Sequence, residues 1–281
     1  MVSARRVALT IAGSDSGGGA GVAADLKVFQ AHGVWGALAI TAVTAQNTIG
    51  LQAVHRLPPE VVRAQIDSVA SDLGADSVKT GMLATAAIVR TVAAAVSHWR
   101  LPNLVVDPVL AASHGGALLE PDALAALREE LIPLATVVAP NLPEAEALLG
   151  RAVGGRDDME AAAAELAGFA GPHRRLAVYL KGGHLAGPAG ADDCLFIPGE
   201  GPRWLEGPRL DRPHTHGTGC VLTAAIAAGL ALGQEVPDAC AAAKRFVTAA
   251  IAGGGGVGKG VGPVDPGAGS GPGQRSAPPV S

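Results

Sequence analysis

Val7-Ala-Leu-Thr-Ile-Ala12, running into Gly13-Ser-Asp-Ser-Gly-Gly-Gly-Ala-Gly21, is a short apolar run that breaks into glycine. Its length and β-branched content are those of a buried strand, and the glycines end it. A segment of helical period, Gly21–His32, comes next, followed by a second apolar run, Gly36–Val43. Strand, loop, helix and strand in that order form a βαβ unit, whose crossover makes the strands parallel. The alternation continues, with strands predicted over Asp76–Lys79, Leu104–Asp107, Thr136–Ala139 and Ala177–Lys181. Helices are predicted over Glu60–Leu73, Ala84–Trp99, Pro121–Ile132, Leu142–Leu149, Asp158–Phe169, Gly217–Leu232 and Pro237–Ala252. The expected fold class is therefore α/β, a mostly parallel sheet covered by helices on both faces.

Composition narrows the function. The 281 residues are 48% hydrophobic and only 3% aromatic, enough for one large core packed from small side chains. One domain is expected over residues 1–265, with a Gly/Pro/Ser-rich disordered tail over 266–281. A formal charge of −4, few aromatics and no Lys/Arg cluster argue against a nucleic-acid partner or a charged membrane surface. The longest apolar stretch, around Val221–Leu232, is shorter than a bilayer span. Three widely spaced cysteines, Cys194, Cys220 and Cys240, fit a reducing compartment rather than a disulfide framework. The run after Arg5-Arg6 is too short for a signal peptide and lacks a cleavage-type site, so the expected location is the cytoplasm.

Ligands of parallel sheets bind beyond the carboxyl ends of the strands. Each predicted strand here ends in a chemically useful loop: Gly13 to Gly21, Thr44-Ala-Gln46-Asn47, Lys79-Thr-Gly81-Met82, Asp107-Pro-Val109, Pro140-Asn141-Leu-Pro-Glu144 and Lys181-Gly-Gly-His184. The first loop is no dinucleotide fingerprint, because the acidic residue expected about twenty positions later is missing. A Walker A lysine is absent too. Thr215-His-Gly-Thr-Gly-Cys220 leads without a break into Val221–Leu232 and reads as a loop that becomes a helix N-terminus. Unpaired amides and the helix dipole make such a terminus an anion site, and the same field should lower the pKa of the Cys220 thiol.

The remaining candidates each have a plain structural alternative. Gln46 carries donor and acceptor on one planar amide and suits the edge of an amino-pyrimidine or pyridine ring, yet Gln46 and Asn47 also suit a turn. Asp107 and Glu144 could hold magnesium, and Glu144 equally fits a helix N-terminus. Lys181 could meet phosphate or snorkel from a sheet edge. Asp25 could cap or orient the first loop. His184, His214 and His216 could ligate a metal, although no zinc-type spacing accompanies them. Together the parts supply an anion cradle, a cation, acidic groups and an organic pocket, the requirements of phosphoryl transfer.

Ten ordered blocks resemble the hydroxymethylpyrimidine/phosphomethylpyrimidine kinases of thiamine biosynthesis, within the ribokinase-like superfamily. They are Ala8-Leu-Thr-Ile-Ala-Gly-Ser-Asp15, Gly18-Gly-Ala-Gly21, Ala24-Asp-Leu-Lys27, Ala45-Gln-Asn-Thr48, Gly81-Met-Leu83, Asp107-Pro-Val109, Pro140-Asn-Leu-Pro-Glu-Ala145, Lys181-Gly-Gly-His-Leu185, Thr215-His-Gly-Thr-Gly-Cys220 and Val257-Gly-Lys-Gly-Val-Gly-Pro263. The resemblance implies a three-layer α/β/α sandwich and two successive ATP-dependent phosphorylations, of the hydroxymethyl group and then of the monophosphate. It implies ATP and Mg2+ as requirements and a homodimer as the assembly. It places Gln46, Ala20, Thr44, Met82, Val109, Gly13 and Asp25 around the pyrimidine. Lys181, Asn141, Gly217, Thr218 and Gly219 fall to the ATP phosphates, and Asp107 and Glu144 to magnesium. Cys220, with Gly219 and Lys181, becomes the catalytic group, standing where many relatives of the wider superfamily carry an aspartate base.

Two departures stand out: the loop through Ser113-His114-Gly115 lacks the lysine many family members carry before the Ser-Gly pair, and Gly187-Pro-Ala-Gly190 replaces a more polar stretch. The competing readings are a pyridoxal or pyridoxine kinase on the same scaffold, a thiol hydrolase using Cys220 with His214 or His216, and a non-catalytic nucleotide binder.

Overall fold

A computed structural model describes residues 5–111, 118–183, 185 and 191–269. The opening unit is β1 (Val7–Ala12), α1 (Gly21–Ala31) and β2 (Trp35–Ile40). β1 and β2 pair in parallel from Val7 opposite Trp35 to Ala12 opposite Ile40, as the βαβ reading requires. The chain then forms a hairpin, β3 (Ala42–Asn47) and β4 (Gly50–Arg56), before α2 (Pro59–Asp72) returns it to β5 (Ser77–Thr80). Next come α3 (Ala86–Trp99), β6 (Leu104–Val106), α4 (Pro121–Ala126), β7 (Val137–Val138), α5 (Leu142–Leu149), α6 (Arg156–Ala167) and β8 (Ala177–Leu180). An antiparallel pair, β9 (Asp193–Ile197) and β10 (Gly201–Leu205), precedes α7 (Thr218–Ala231), α8 (Val236–Gly253) and a last helical turn, α9 (Pro266–Gly269).

The main sheet has eight strands in the order β10-β9-β8-β7-β6-β5-β1-β2. All pairings from β2 across to β8 are parallel, and β9 and β10 close the far edge antiparallel. Strand alternation sorts the core into two halves. Leu9, Ile11, Val78, Leu104, Val106, Val138 and Val178 face α2 to α6, and Ala8, Val105, Val137, Tyr179 and Leu195 face α1, α7 and α8. The result is the three-layer α/β/α sandwich. α7 is buried on every side from Val221 to Ala231 because it lies between the sheet and its neighbours α1 and α8. An all-round apolar helix inside a protein is the expected consequence.

Four details differ from the sequence reading. The run Gly36–Val43 is not one strand, because Thr41 ends the ladder: its amide donates to Ala12 (3.0 Å) and its hydroxyl to the Met82 carbonyl (2.6 Å). Beyond it β3 leaves the sheet and pairs only with β4. β9 and β10 were not expected, since their short runs are joined at glycines in the left-handed region, Gly199 and Gly201. The helix expected over Pro121–Ile132 widens into a π-helical stretch at Leu127–Leu131 and tightens to a 3-10 turn at Ile132–Leu134, where Pro133 removes an amide donor. Order also continues past residue 265, with Pro266 buried beside α8; the tail expected over 270–281 lies outside the described residues.

Phe29 is fully buried between α1 and the helices of its layer. Phe29→Ala is expected to cost about 3–5 kcal/mol in urea unfolding, the range of a large core deletion.

Candidate active site

A cavity of about 680 Å³ opens along the carboxyl ends of the parallel strands. It straddles the point where the strand order reverses around β1, the crevice that parallel sheets offer to ligands. Gly13, Ala20, Thr44, Gln46, Met82 and Val109 line it at one end. Asp107, Asn141, Glu144, Lys181, Gly217, Thr218, Gly219 and Cys220 line it further along. Asp25, expected with the pyrimidine contacts, is elsewhere: it is fully buried and absent from the lining. Its carboxylate accepts from Lys79 Nζ (2.8 and 3.0 Å) and from the Thr10 hydroxyl (2.6 Å). Burying both charges is tolerable only because they meet.

The anion loop is built by the start of α7. Gly217 caps the helix with φ +81°, and a Cβ there would overlap the Gly19 carbonyl, so only glycine fits. The next turn brings Gly219 against the charged groups: a Cβ placed on it would lie 3.6 Å from Lys181 Nζ and 3.7 Å from Asp107 Oδ2. Lys181 Nζ in turn donates to Asp107 Oδ1 at 2.9 Å and lies 3.5 Å from Glu144 Oε2. Burial alone would push Lys181 down, but Asp107 and Glu144 hold it above the ordinary lysine value, so it stays a cation. Burial raises Glu144, against the pull of Lys181. Glu144 also completes a capping box with Asn141 (2.7 and 2.9 Å), so it serves the helix end and the site at once.

The first loop uses its amides internally. Asp15 accepts from the Gly17 (2.8 Å), Gly19 (3.0 Å) and Ala20 (2.9 Å) amides and from His216 Nε2 (2.8 Å). Burial pushes Asp15 up, yet the bonds from His216 and the amides outweigh it and its pKa falls below the usual carboxylate value. The Ala20 amide is therefore committed to Asp15 rather than free for a ligand. At the hairpin, Thr44 bonds to Ser14 (2.8 and 3.2 Å), and a bulge between Ala45 and Gln46 redirects the strand. Ser16 bonds to both the amide and the carbonyl of Gln46 (2.8 and 2.7 Å), leaving its side-chain amide to the cavity, with one contact to the Thr44 hydroxyl (3.3 Å).

Cys220 corrects the sequence reading. Burial pushes its thiol above the ordinary value; Lys79 opposes this, Asp25 and Asp107 add to it, and the Gly21 amide works the other way. Desolvation is the largest of these causes, so the group is held as a thiol rather than the activated thiolate expected at a helix terminus. The histidines are engaged as well: His216 with Asp15, and His214 Nδ1 accepting from the Gly262 amide at 3.0 Å. The raised thiol opposes the hydrolase reading. Among the described residues no group of three or more His, Cys, Asp or Glu side chains could hold a metal ion. His184, Ser113, His114, Gly115 and Gly187–Gly190 lie outside the described residues.

Several site residues escaped the sequence reading. Lys79 was read at the end of its strand, in the loop Lys79-Thr-Gly81-Met82, but was given no role. Thr223 donates to Asp107 Oδ2 (3.2 Å) from the second turn of α7. Asp193 accepts from Tyr179 (2.8 Å), Lys244 (2.7 Å) and the Gly182 amide (2.8 Å), and with Lys244 lines the end of the cavity beyond Lys181.

This arrangement has known counterparts. Residues 15–265 match the family model described as phosphomethylpyrimidine kinase. The chain belongs to this family. It is 52% identical over 259 residues to the hydroxymethylpyrimidine/phosphomethylpyrimidine kinase of Streptomyces coelicolor, covering 92% of this chain and 93% of that one. Among solved structures it resembles an ADP complex of Bacillus subtilis pyridoxal kinase (TM-score 0.85, 40% identity, 94% and 98% of the two chains). It also resembles the phosphomethylpyrimidine kinase of Clostridium difficile (TM-score 0.77, 38% identity, 88% and 100%). The fold of this kinase is ribokinase-like.

The raised thiol has a direct readout. Iodoacetamide labelling of Cys220, followed site by site by mass spectrometry, should accelerate with pH beyond about 8.5, the value of a free cysteine. A midpoint well below that would restore the activated thiolate.

Proposed function

We propose that this kinase transfers the γ-phosphoryl group of ATP to the hydroxymethyl oxygen of hydroxymethylpyrimidine and then phosphorylates the monophosphate to the diphosphate, in thiamine biosynthesis. The observation that carries the reading is the corner where Gly219, Lys181 and Asp107 meet, in one cavity with the Gln46 amide. Gln46 hydrogen-bonds the ring edge through its donor and acceptor, and Met82 and Val109 enclose the ring. The amides of Gly217 to Cys220 face the transferring phosphoryl group and stabilise the charge that develops on it. Lys181 binds the ATP phosphates, with Asn141 and Thr218 beside it. The new bond joins the acceptor oxygen to the γ-phosphorus; the bond to the β,γ-bridging oxygen breaks and ADP leaves. Cys220 orients the hydroxyl and takes its proton only after giving its own to water, while positioning and electrostatics supply most of the acceleration.

Asp107 and Glu144 are the groups that would hold magnesium. Their convergence on a single Lys181 ammonium fits a site that already accommodates positive charge, and two carboxylates suit an ion that takes its other ligands from water and phosphate. When bound, magnesium supplies charge neutralisation at the phosphate oxygens. We assign a homodimer on the family resemblance, and a cytoplasmic location on that resemblance and on three free cysteines. Among the described residues no helix is long and apolar enough to cross a membrane.

Mass spectrometry after incubation with magnesium-ATP and hydroxymethylpyrimidine should show the monophosphate and then the diphosphate. Phosphorylated pyridoxal alone, in a parallel reaction, would move the activity to vitamin B6 salvage. Lys181→Met should lower kcat by about a hundredfold or more, as for loss of a transition-state charge contact. Cys220→Ala should lower it by a comparable factor of about a hundred; full turnover in that variant would remove the base assignment.

A further inference from the structure

The segment Val257-Gly-Lys-Gly-Val-Gly-Pro263 has no part in the chemistry above, yet it touches both ends of the site. Its first half packs on the turn of the β3–β4 hairpin. The Thr48 hydroxyl accepts from the amides of Lys259 and Gly260, each at 3.2 Å. Contact is close enough to require glycine: a Cβ on Gly260 would overlap the Thr48 carbonyl, and one on Gly258, where φ is +78°, would overlap the Thr48 hydroxyl. Thr48 stands two residues beyond Gln46.

The second half runs beside the strand that enters the anion loop. The His216 amide donates to Gly262 and the Val264 amide to His216, each at 3.1 Å, and His216 and Pro263 form a parallel bridge. The Gly262 amide donates to His214 Nδ1 (3.0 Å). His216 immediately precedes Gly217, the cap of α7. One short segment therefore clamps the hairpin at one end and the phosphate loop at the other.

The hairpin needs such a clamp. It lies outside the main sheet, and β4 is exposed from Gln52 to Arg56, so it buries little to hold itself in place. An isolated two-stranded hairpin is marginal in water. At its base Ser14 and Ser16 bond to Thr44 and Gln46, which leaves the turn to be held by Thr48 and its partners.

We propose that residues 257–263 are a latch that sets the position of the Gln46 hairpin relative to the Gly217–Cys220 amides, with Thr48 as its positioning residue. The proposal rests on the reading of Gln46 as the group that meets the pyrimidine edge. Ring binding and phosphoryl transfer occur on one small molecule, so an error in the hairpin's position displaces the acceptor oxygen from the phosphoryl group. The latch transmits no ligand signal; it removes a degree of freedom.

Thr48→Val keeps the shape and deletes the acceptor, and Thr48→Ser keeps the hydroxyl. Thr48→Val is expected to raise the hydroxymethylpyrimidine KM about tenfold, to leave the ATP KM within about twofold, and to be rescued by Thr48→Ser. Amide hydrogen exchange should accelerate in residues 42–56 while the central strands keep their protection. An unchanged pyrimidine KM, or both KM values rising together, overturns the latch. Gln46→Ala, measured alongside, separates the two ideas. If its pyrimidine KM is unchanged while that of Thr48→Val is raised, the ring-reading role falls and the latch stands; the reverse pattern overturns the latch and keeps the ring-reading role.

Discussion

Asp15, Asp25, Asp107, Glu144 and Asp193 are buried along the rim and floor of the cavity, and each is met by a side chain that carries or can carry positive charge. Asp15 has His216, Asp25 has Lys79, Asp107 and Glu144 share Lys181, and Asp193 has Lys244. A carboxylate taken out of water without such a partner would cost several kcal/mol, about as much as a domain has to spare. This pairing is the constraint on which the site depends, because it lets so much charge sit at one edge of an apolar sheet. It also fixes geometry, since most of the pairs join segments far apart in the chain. Asp15 and His216 are 201 residues apart and tie the first loop to the phosphate loop.

The pairs divide the cavity by function. In the Asp25–Lys79 pair the carboxylate is withdrawn from the cavity while Lys79 lines its floor. Asp107–Lys181–Glu144 faces the cavity, where charge can be exchanged with phosphate and a divalent ion. Asp193–Lys244 stiffens the wall behind the Lys181 arm, since Asp193 also receives the Gly182 amide. Electrostatic catalysis works through groups already held in place before the charge develops, and a network of this kind supplies that holding.

Cys220 shows two rules of equal simplicity in opposition. A helix N-terminus favours an anion, and burial disfavours it. The terminus is legible in Gly217-Thr-Gly-Cys220, whereas the charges of Asp25, Asp107 and Lys79 and the Gly21 amide act on the sulfur from segments far from it in the chain. Desolvation wins because it exceeds the opposing pull of Lys79 and the Gly21 amide, and Asp25 and Asp107 add to it. Its chemistry is accordingly that of an oriented thiol, which must ionise before it can accept a proton, rather than a standing nucleophile.

The sequence by itself determined the layered α/β architecture, because strand and helix periods are local patterns and Val7–Ala12, Leu104–Val106 and Ala177–Leu180 carry them plainly. It also determined which loops bear chemistry, since the residues ending each parallel strand share one edge whatever the details of packing. Tertiary structure alone decided which of those residues meet. Gln46 reaches the cavity because Thr41 ends the sheet and a bulge turns β3; Asp25, on α1, is withdrawn because Lys79, on β5, pairs with it. The hairpin and β10 have largely exposed patterns, and β9 and β10 are short runs joined at glycines, so they leave little periodic signal. Ion pairs, latches and thiol pKa values depend on distances across the fold, and no local pattern encodes them.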